Sequence, residues 1–349
     1  MLKRFVYRLC KSLGLFAVAR RITRHELRIL AYHGSALDDD ADFRPQLFMD
    51  ATLFKARLEY LRCQGFPVLN LDDAVQLLRR NSLPPCATVV TIDDGFFSTW
   101  KLAVPMLVQL GLPATIYLTS YYSVHETPVF RLVVQYMFWK TRVASLLLSD
   151  IGVPNGHPVT IDGPSTAEET AWTVIEYGET ALAEDERVEL CKNLGVILDV
   201  DYEDIVRKRL FSLMTVNEVR AASEQGIEIQ LHTHRHRLPI DPNLLRREID
   251  DNRRVVEPIV GRAVKHFCYP SGIHDPSHLG PLRELGVTSA TTCEVGLNPP
   301  ATDPLLLNRF LDGNTISWLE FEAEMSGFAE LLRRRRYWLR SRLRIVGAA

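Results

Sequence analysis

Ala87-Thr88-Val89-Val90-Thr91-Ile92-Asp93-Asp94-Gly95 is the stretch on which the fold turns. Its first six residues are mostly β-branched and show no polar alternation. That is the pattern of a strand covered on both faces, as in parallel sheets. Two carboxylates follow, where the strand ends. In parallel α/β architectures, chemistry collects at the C-terminal ends of strands. Asp-Gly is also a common turn pair, so the motif alone leaves a plain turn open.

Similar units lie on either side. Strands are predicted at 28–32, 68–71, 114–118, 227–231, 264–269 and 287–291. Helices are predicted at 52–64, 72–79, 99–109, 215–224, 243–260 and 276–285. The alternation argues for a parallel α/β sheet or barrel. Residues 120–213 break the rhythm with an aromatic helix at 130–140, a Gly/Pro-rich stretch at 152–164 and acidic helices. The expected organisation is a basic amphipathic segment (1–27), a barrel in two parts (28–119 and 214–325), an insertion (120–213) and a basic tail (326–349).

The second polar motif is His232-Thr233-His234-Arg235-His236, directly after the predicted strand 227–231. If the segment makes one helical turn, His232 and His236 face the same side and can share a metal. His234 would then point away from the pair. Thr233 occupies the position of the glutamate in the H-E-x-x-H protease pattern, so a base must come from elsewhere. The Asp pair can supply it, one carboxylate binding metal and the other taking a proton. A solvated polar loop is the alternative.

Other function classes find little support. No Gly-rich phosphate loop is present. The six cysteines form no C-x-x-C pair, which suggests neither a zinc knuckle nor a disulfide framework. The formal net charge is −2. Residues 1–28 hold eight basic side chains against Glu26, and 333–344 hold seven arginines and no acid, so the remainder is strongly acidic. An acidic body with basic ends is not the footprint of a nucleic-acid binder. It suits peripheral contact with an anionic membrane, since the first segment places Leu2, Phe5, Val6, Leu9, Leu13 and Phe16 near helical spacing among Lys and Arg. A helix packed on the barrel with a solvated basic face is the alternative. Ala17-Val18-Ala19 mimics a cleavage site, but the apolar run before it is short and Arg20-Arg21 follows. A cytoplasmic location is therefore expected, with peripheral contact on the inner face of the membrane.

Taken together, the motifs resemble those of the polysaccharide deacetylases, the family 4 carbohydrate esterases. Thr91–Gly95 is similar to their T-F-D-D-G motif, and 232–236 to H-[S/T]-x-x-H. Phe267-Cys268-Tyr269-Pro270-Ser271-Gly272 is similar to the F-x-Y-P-x-G form of the third motif. The resemblance implies a distorted (β/α) barrel with fewer than eight regular strands, here with a mainly helical insertion. It implies a divalent metal, usually zinc, on Asp94, His232 and His236, with Asp93 as general base. A backbone N–H near Tyr269 would face the oxyanion. The implied substrate is a carbohydrate bearing an N-acetyl or other N-acyl amino sugar. Loss of a formyl group, or a non-catalytic carbohydrate-binding role, are the alternatives.

Many members take their general acid from a late L-x-H motif. Here the corresponding strand, 305–310, reads Leu307-Asn308-Arg309, and arginine is a poor proton donor. Circularly permuted members place a Tyr-His motif early, and Tyr32-His33 matches it, so His33 is the expected acid. Arg309 is then expected to orient a carboxylate or phosphate, or to pair with Asp93. His266, His274 and His278 lie near the third motif and are expected at the surface, with lining the cleft as the alternative. Tyr121, Tyr122 and Trp139 are candidates for stacking on sugar rings, with core packing as the alternative.

Overall fold

The computed structural model describes residues 2–154 and 157–346. Met1, residues 155–156 and residues 347–349, which fall in the segments 1–27, 120–213 and 326–349, lie outside the described residues.

Seven parallel strands close into a barrel: β1 (Arg28–Tyr32), β2 (Thr88–Asp94), β3 (Thr115–Leu118), β4 (Glu228–Leu231), β5 (His266–Cys268), β6 (Ser289–Val295) and β7 (Leu307–Leu311). Each neighbours the next in chain order, and β7 returns to pair with β1. Strands β1, β3, β4 and β5 are buried along their whole length, as expected of parallel strands covered on both faces, and this includes the polar Arg28, Glu228, Gln230 and His266. Alternate residues divide the two faces. Leu30, Val90, Ile116 and Ile229 pack outward against the helices, while Ile29, Val89, Tyr117, Cys268 and Leu307 fill the interior.

The strand predicted at 68–71 does not form. Val68 makes a single bridge to Thr88, and Leu71 already opens the helix Leu71–Arg79. Asp72 and Asp73 in that helix's first turn favour early helix entry through the macrodipole. The barrel therefore has seven strands. Strand β2 runs through both aspartates instead of stopping before them. Elsewhere the helix Val216–Glu224 is closed by a Thr215/Glu218 capping box, as its sequence suggests.

Between β3 and β4 the chain forms the helices Tyr121–His125, Phe130–Lys140, Pro164–Ala181, Glu184–Leu198 and Tyr202–Lys208. They bury a separate apolar core containing Met137, Val174 and Leu194. Phe48, Phe96 and Phe211 join this core to the barrel rim, with ring centroids 5.1 and 5.6 Å apart around Phe48. The helical layer thus stands over the C-terminal ends of the strands, where Asp93 and Asp94 emerge.

Candidate active site

Strand register assembles the site. Tyr32 pairs with Ile92 across β1 and β2, so His33 and Asp93 leave the barrel side by side. Asp94 pairs with Leu118, and Leu118 with Leu231, so His232 emerges one residue beyond the same level. Gly95 must be glycine: its φ is +83°, and a Cβ would lie 2.4 Å from Leu118 Cδ1.

Asp94 Oδ1 lies 3.3 Å from His232 Nε2 and 3.3 Å from His236 Nε2. A tetrahedral cation bound at about 2.0–2.1 Å sets neighbouring ligand atoms about 3.3–3.4 Å apart. The three donors therefore fit such an ion. His232 Nδ1 lies 2.9 Å from the Cys268 carbonyl, which can only accept, so Nδ1 carries the hydrogen and Nε2 offers its lone pair. A second grouping, Asp93 with His232 and Cys268, fits a cation poorly because both Asp93 oxygens already accept from Arg309.

The two histidines do not converge through a helical turn. Residues 232–236 form an irregular loop in which Thr233 and His236 adopt φ of +64° and +55°. Asp94 and Ser271 are also left-handed, at +66° and +55°. Such geometry costs on the order of 1–3 kcal/mol per residue and persists where surroundings enforce it. Here Asn252 accepts from the His232 N–H at 3.1 Å and donates to the Leu118 carbonyl and Ser120 Oγ. Glu248 takes the Arg235 N–H at 2.8 Å and its guanidinium at 2.9 Å. Asn252 and Glu248 are both buried on the helix Pro242–Val260, and neither stands out in the sequence. His234 turns away to Ser120 Oγ, 2.9 Å from its Nδ1.

Arg309 reaches Asp93 from β7. Nη1 donates to Oδ1 at 2.7 Å, Nη2 to Oδ2 at 2.8 Å, and Nε to the Thr292 carbonyl at 2.8 Å. The guanidinium is fully buried and its fork is spent on Asp93, so of the two roles expected for it the pairing is the one present. Burial pushes Asp93 up, but the charge and hydrogen bonds of Arg309 outweigh it and hold the carboxyl below its usual range. Asp94 is likewise lowered: burial opposes, and His236 and His232 prevail. Burial drives His236 down to about 4, leaving it neutral and able to ligate at neutral pH.

His33 Nε2 stands 3.8 Å from Asp93 Oδ2, and the ring is partly exposed to the cavity. The Tyr269 N–H is not free for an oxyanion, because it donates to the Thr291 carbonyl at 3.1 Å. Pro270 has no N–H, and the following residue, Ser271, lines the cavity. His266 and His278 are buried away from the site, contrary to a surface position. His266 packs between Ser289 Oγ at 2.7 Å and Asp72 at 3.3 Å, and His278 caps its own helix.

A cavity of about 540 Å³ opens over these groups, within the range of small-molecule sites. Its outer wall comes from the insertion: Tyr121, Tyr122, Arg131, Trp172, Glu179 and Arg187. Trp139 is not part of it and packs on Phe43 and Tyr136. Nothing local in the sequence marks Trp172 or Arg131, since their helices are aligned with the site only by packing.

A buried carboxylate–arginine pair, a cation-spaced Asp/His/His set and a cleft at the C-terminal mouth of a parallel barrel define a hydrolytic site. Residues 202–290, which include His232, His236 and the Phe267–Gly272 motif, match the family model described as polysaccharide deacetylase. That match spans about a quarter of the chain. Among solved structures it is similar to the Streptococcus pyogenes deacetylase PplD in complex with acetate, at 16% identity and TM-score 0.57, over 87% of this chain and 99% of that one. It is similar to IcaB from Ammonifex degensii at 17% identity and TM-score 0.55, over 86% and 97%. It is also similar to a de-N-acetylase from Aggregatibacter actinomycetemcomitans at 15% identity and TM-score 0.55, over 86% and 99%. These likenesses bear out the (β/α) barrel. No curated protein matches the chain in sequence.

Proposed function

We propose that the chain is a divalent-cation-dependent N-deacylase that hydrolyses the N-acetyl group, or a similar short acyl group, of an amino sugar in a glycan or glycan precursor. The observation that carries this reading is the pair of 3.3 Å separations from Asp94 Oδ1 to His232 and His236, with Asp93 beside them. Asp94, His232 and His236 would hold the cation, with zinc the first choice on donor type and spacing. A cation there polarises the amide carbonyl and acidifies water.

The chain's own groups do the rest. Asp93 takes the proton of the attacking water, and Arg309 keeps it ionised and fixed for that purpose. His33 faces Asp93 across the reaction space and delivers a proton to the departing amine. Its early place in the chain supports the permuted form of the family. The Ser271 N–H is the backbone donor proposed for the oxyanion. The exposed face of Trp172 in the cavity wall suits stacking on a sugar ring.

The test is release of acetate and formate from a panel of N-acylated sugars and oligosaccharides, with and without added zinc. Acetate release that depends on zinc supports the reading. Formate release alone would change the acyl group assigned. No release of either, from a protein shown to hold the cation, would leave a carbohydrate-binding role in its place.

A further inference from the structure

The first two helices carry two apolar stripes, and only one of them is used by the fold. Helix α1 (Leu2–Ser12) and helix α2 (Leu15–Ile22) meet at Gly14, whose φ of +75° permits the tight turn. The inner stripe, Tyr7, Phe16 and Ala19, is buried against Ala323 and Phe328. Tyr7 and Phe16 lie 5.8 and 4.9 Å from the Phe328 ring, centroid to centroid. Lys3 and Lys11 clamp the hairpin to Glu320 and Glu322. The hairpin is thus docked on the body by one face.

The opposite face is apolar as well. Phe5, Leu9 and Leu13 recur at intervals of four, and Leu15, Val18 and Ile22 at three and four, so each set forms one stripe. All six are exposed, Phe5 and Leu13 at 66% and Ile22 at 62%. A helix held only by packing on the barrel would show a polar outer face. Arg4, Arg8 and Arg21 lie among these residues and form no ion pair among the described residues. Apolar side chains interleaved with uncompensated arginines are the composition of a helix lying in a lipid headgroup layer.

We infer that α1 and α2 form an amphipathic hairpin that docks the protein on a membrane surface rich in anionic lipid. Neither helix can span: eleven residues extend about 16 Å, and no helix of the described residues is long and apolar enough to cross a membrane. A second copy is a poorer occupant, because joining the two apolar faces would bring like-charged arginines together. The helix Phe328–Val346 packs on α2 and adds Arg335 and Arg336 to the basic charge beside the hairpin.

The docking end also has a direction. Arg20 reaches the Gln64 carbonyl and Cys86, and Arg28, the first residue of β1, bonds the Thr23 and Met325 carbonyls. These contacts put the hairpin at the N-terminal end of the barrel, away from Asp93 and Asp94. A docked molecule keeps its cavity turned to the aqueous side.

The test is sedimentation of the full chain with phosphatidylcholine vesicles, with and without phosphatidylglycerol, at low and high salt. The expected result is binding that needs phosphatidylglycerol and weakens with salt. A Phe5→Ser/Leu9→Ser/Leu13→Ser variant should bind at least about tenfold more weakly. Each of Arg4→Gln, Arg8→Gln and Arg21→Gln should cost about fivefold at low salt. All these side chains are exposed, so the unfolding midpoint should not change. Absence of vesicle binding, or equal binding to pure phosphatidylcholine, overturns the inference. So does a dimer in analytical ultracentrifugation that the triple serine variant disperses while vesicles capture neither form.

Discussion

Replacing Arg309 with methionine should destabilise the barrel and silence the site through one cause. The guanidinium and Asp93 are buried together, with bidentate bonds of 2.7 and 2.8 Å. Opposite charges about 4 Å apart attract by about 4 kcal/mol at an effective dielectric of 20, and removing one partner of a buried pair typically costs 3–5 kcal/mol. For a chain of this length the unfolding entropy is roughly 0.7 kcal/mol per kelvin, so that loss lowers the midpoint by roughly 5 °C. Stranded in the interior, the Asp93 carboxyl takes up a proton and can no longer accept one from water. The assay is a double-mutant cycle in urea unfolding, combining Arg309→Met with Asp93→Asn. The double variant should be more stable than Arg309→Met alone, with a coupling of about 2–3 kcal/mol. If the two effects simply add, or Arg309→Met keeps wild-type activity, Arg309 is not what holds Asp93.

Asp94→Ala and His236→Ala should each lose the bound cation, read as metal content after dialysis, whereas Asp93→Asn should retain it and release no acetate. Retention of zinc by Asp94→Ala would refute the donor set. His33→Ala should slow amide hydrolysis about a hundred- to ten-thousand-fold but spare an activated aryl acetate, whose leaving group needs no proton. Equal losses on both substrates would remove His33 from the acid role. Asp312 lies buried between Arg57 and Tyr32, and burial raises its carboxyl to about 6 despite Arg57. Its folded form binds the proton more tightly than the unfolded chain, so the stability it contributes is full below about pH 4 and lost as pH rises through 6. Urea unfolding at both ends of that window should show Asp312→Asn gaining on wild type as pH rises. A constant difference would contradict the assignment.

The chemistry was legible where it sits at the ends of strands. The β-branched run before Asp93-Asp94 and the buried run before His232 each fixed a strand, and parallel pairing then put both motifs at one mouth. Most elements followed for the same reason, though strand ends shifted by a few residues, as where β2 runs on through Asp94, and at 68–71 acidic residues after Leu71 start a helix instead. The geometry joining the motifs was less accessible. Spacing of four suggested a helical turn for His232 and His236, but a loop with two left-handed residues achieves the convergence, held by Asn252 and Glu248 from a distant helix. A lone asparagine on a helix face carries no mark of that task.

Arg309 shows how far a single departure in sequence can be read. Its presence where a histidine was expected said only that the acid must come from elsewhere. Barrel closure supplies the rest, since β1 pairs with both β2 and β7 and so brings His33 and Arg309 to the same aspartate. An arginine whose donors are engaged by Asp93, Thr292, Thr91 and Cys268 is poorly placed to serve a leaving group. A histidine 3.8 Å from that aspartate, open to the cavity, is free to serve it. In the proposed mechanism, holding the base thus falls to the last strand of the barrel and supplying the acid to the residue that follows the first. Losing either residue should leave the cation site intact while stopping the reaction at a different proton transfer.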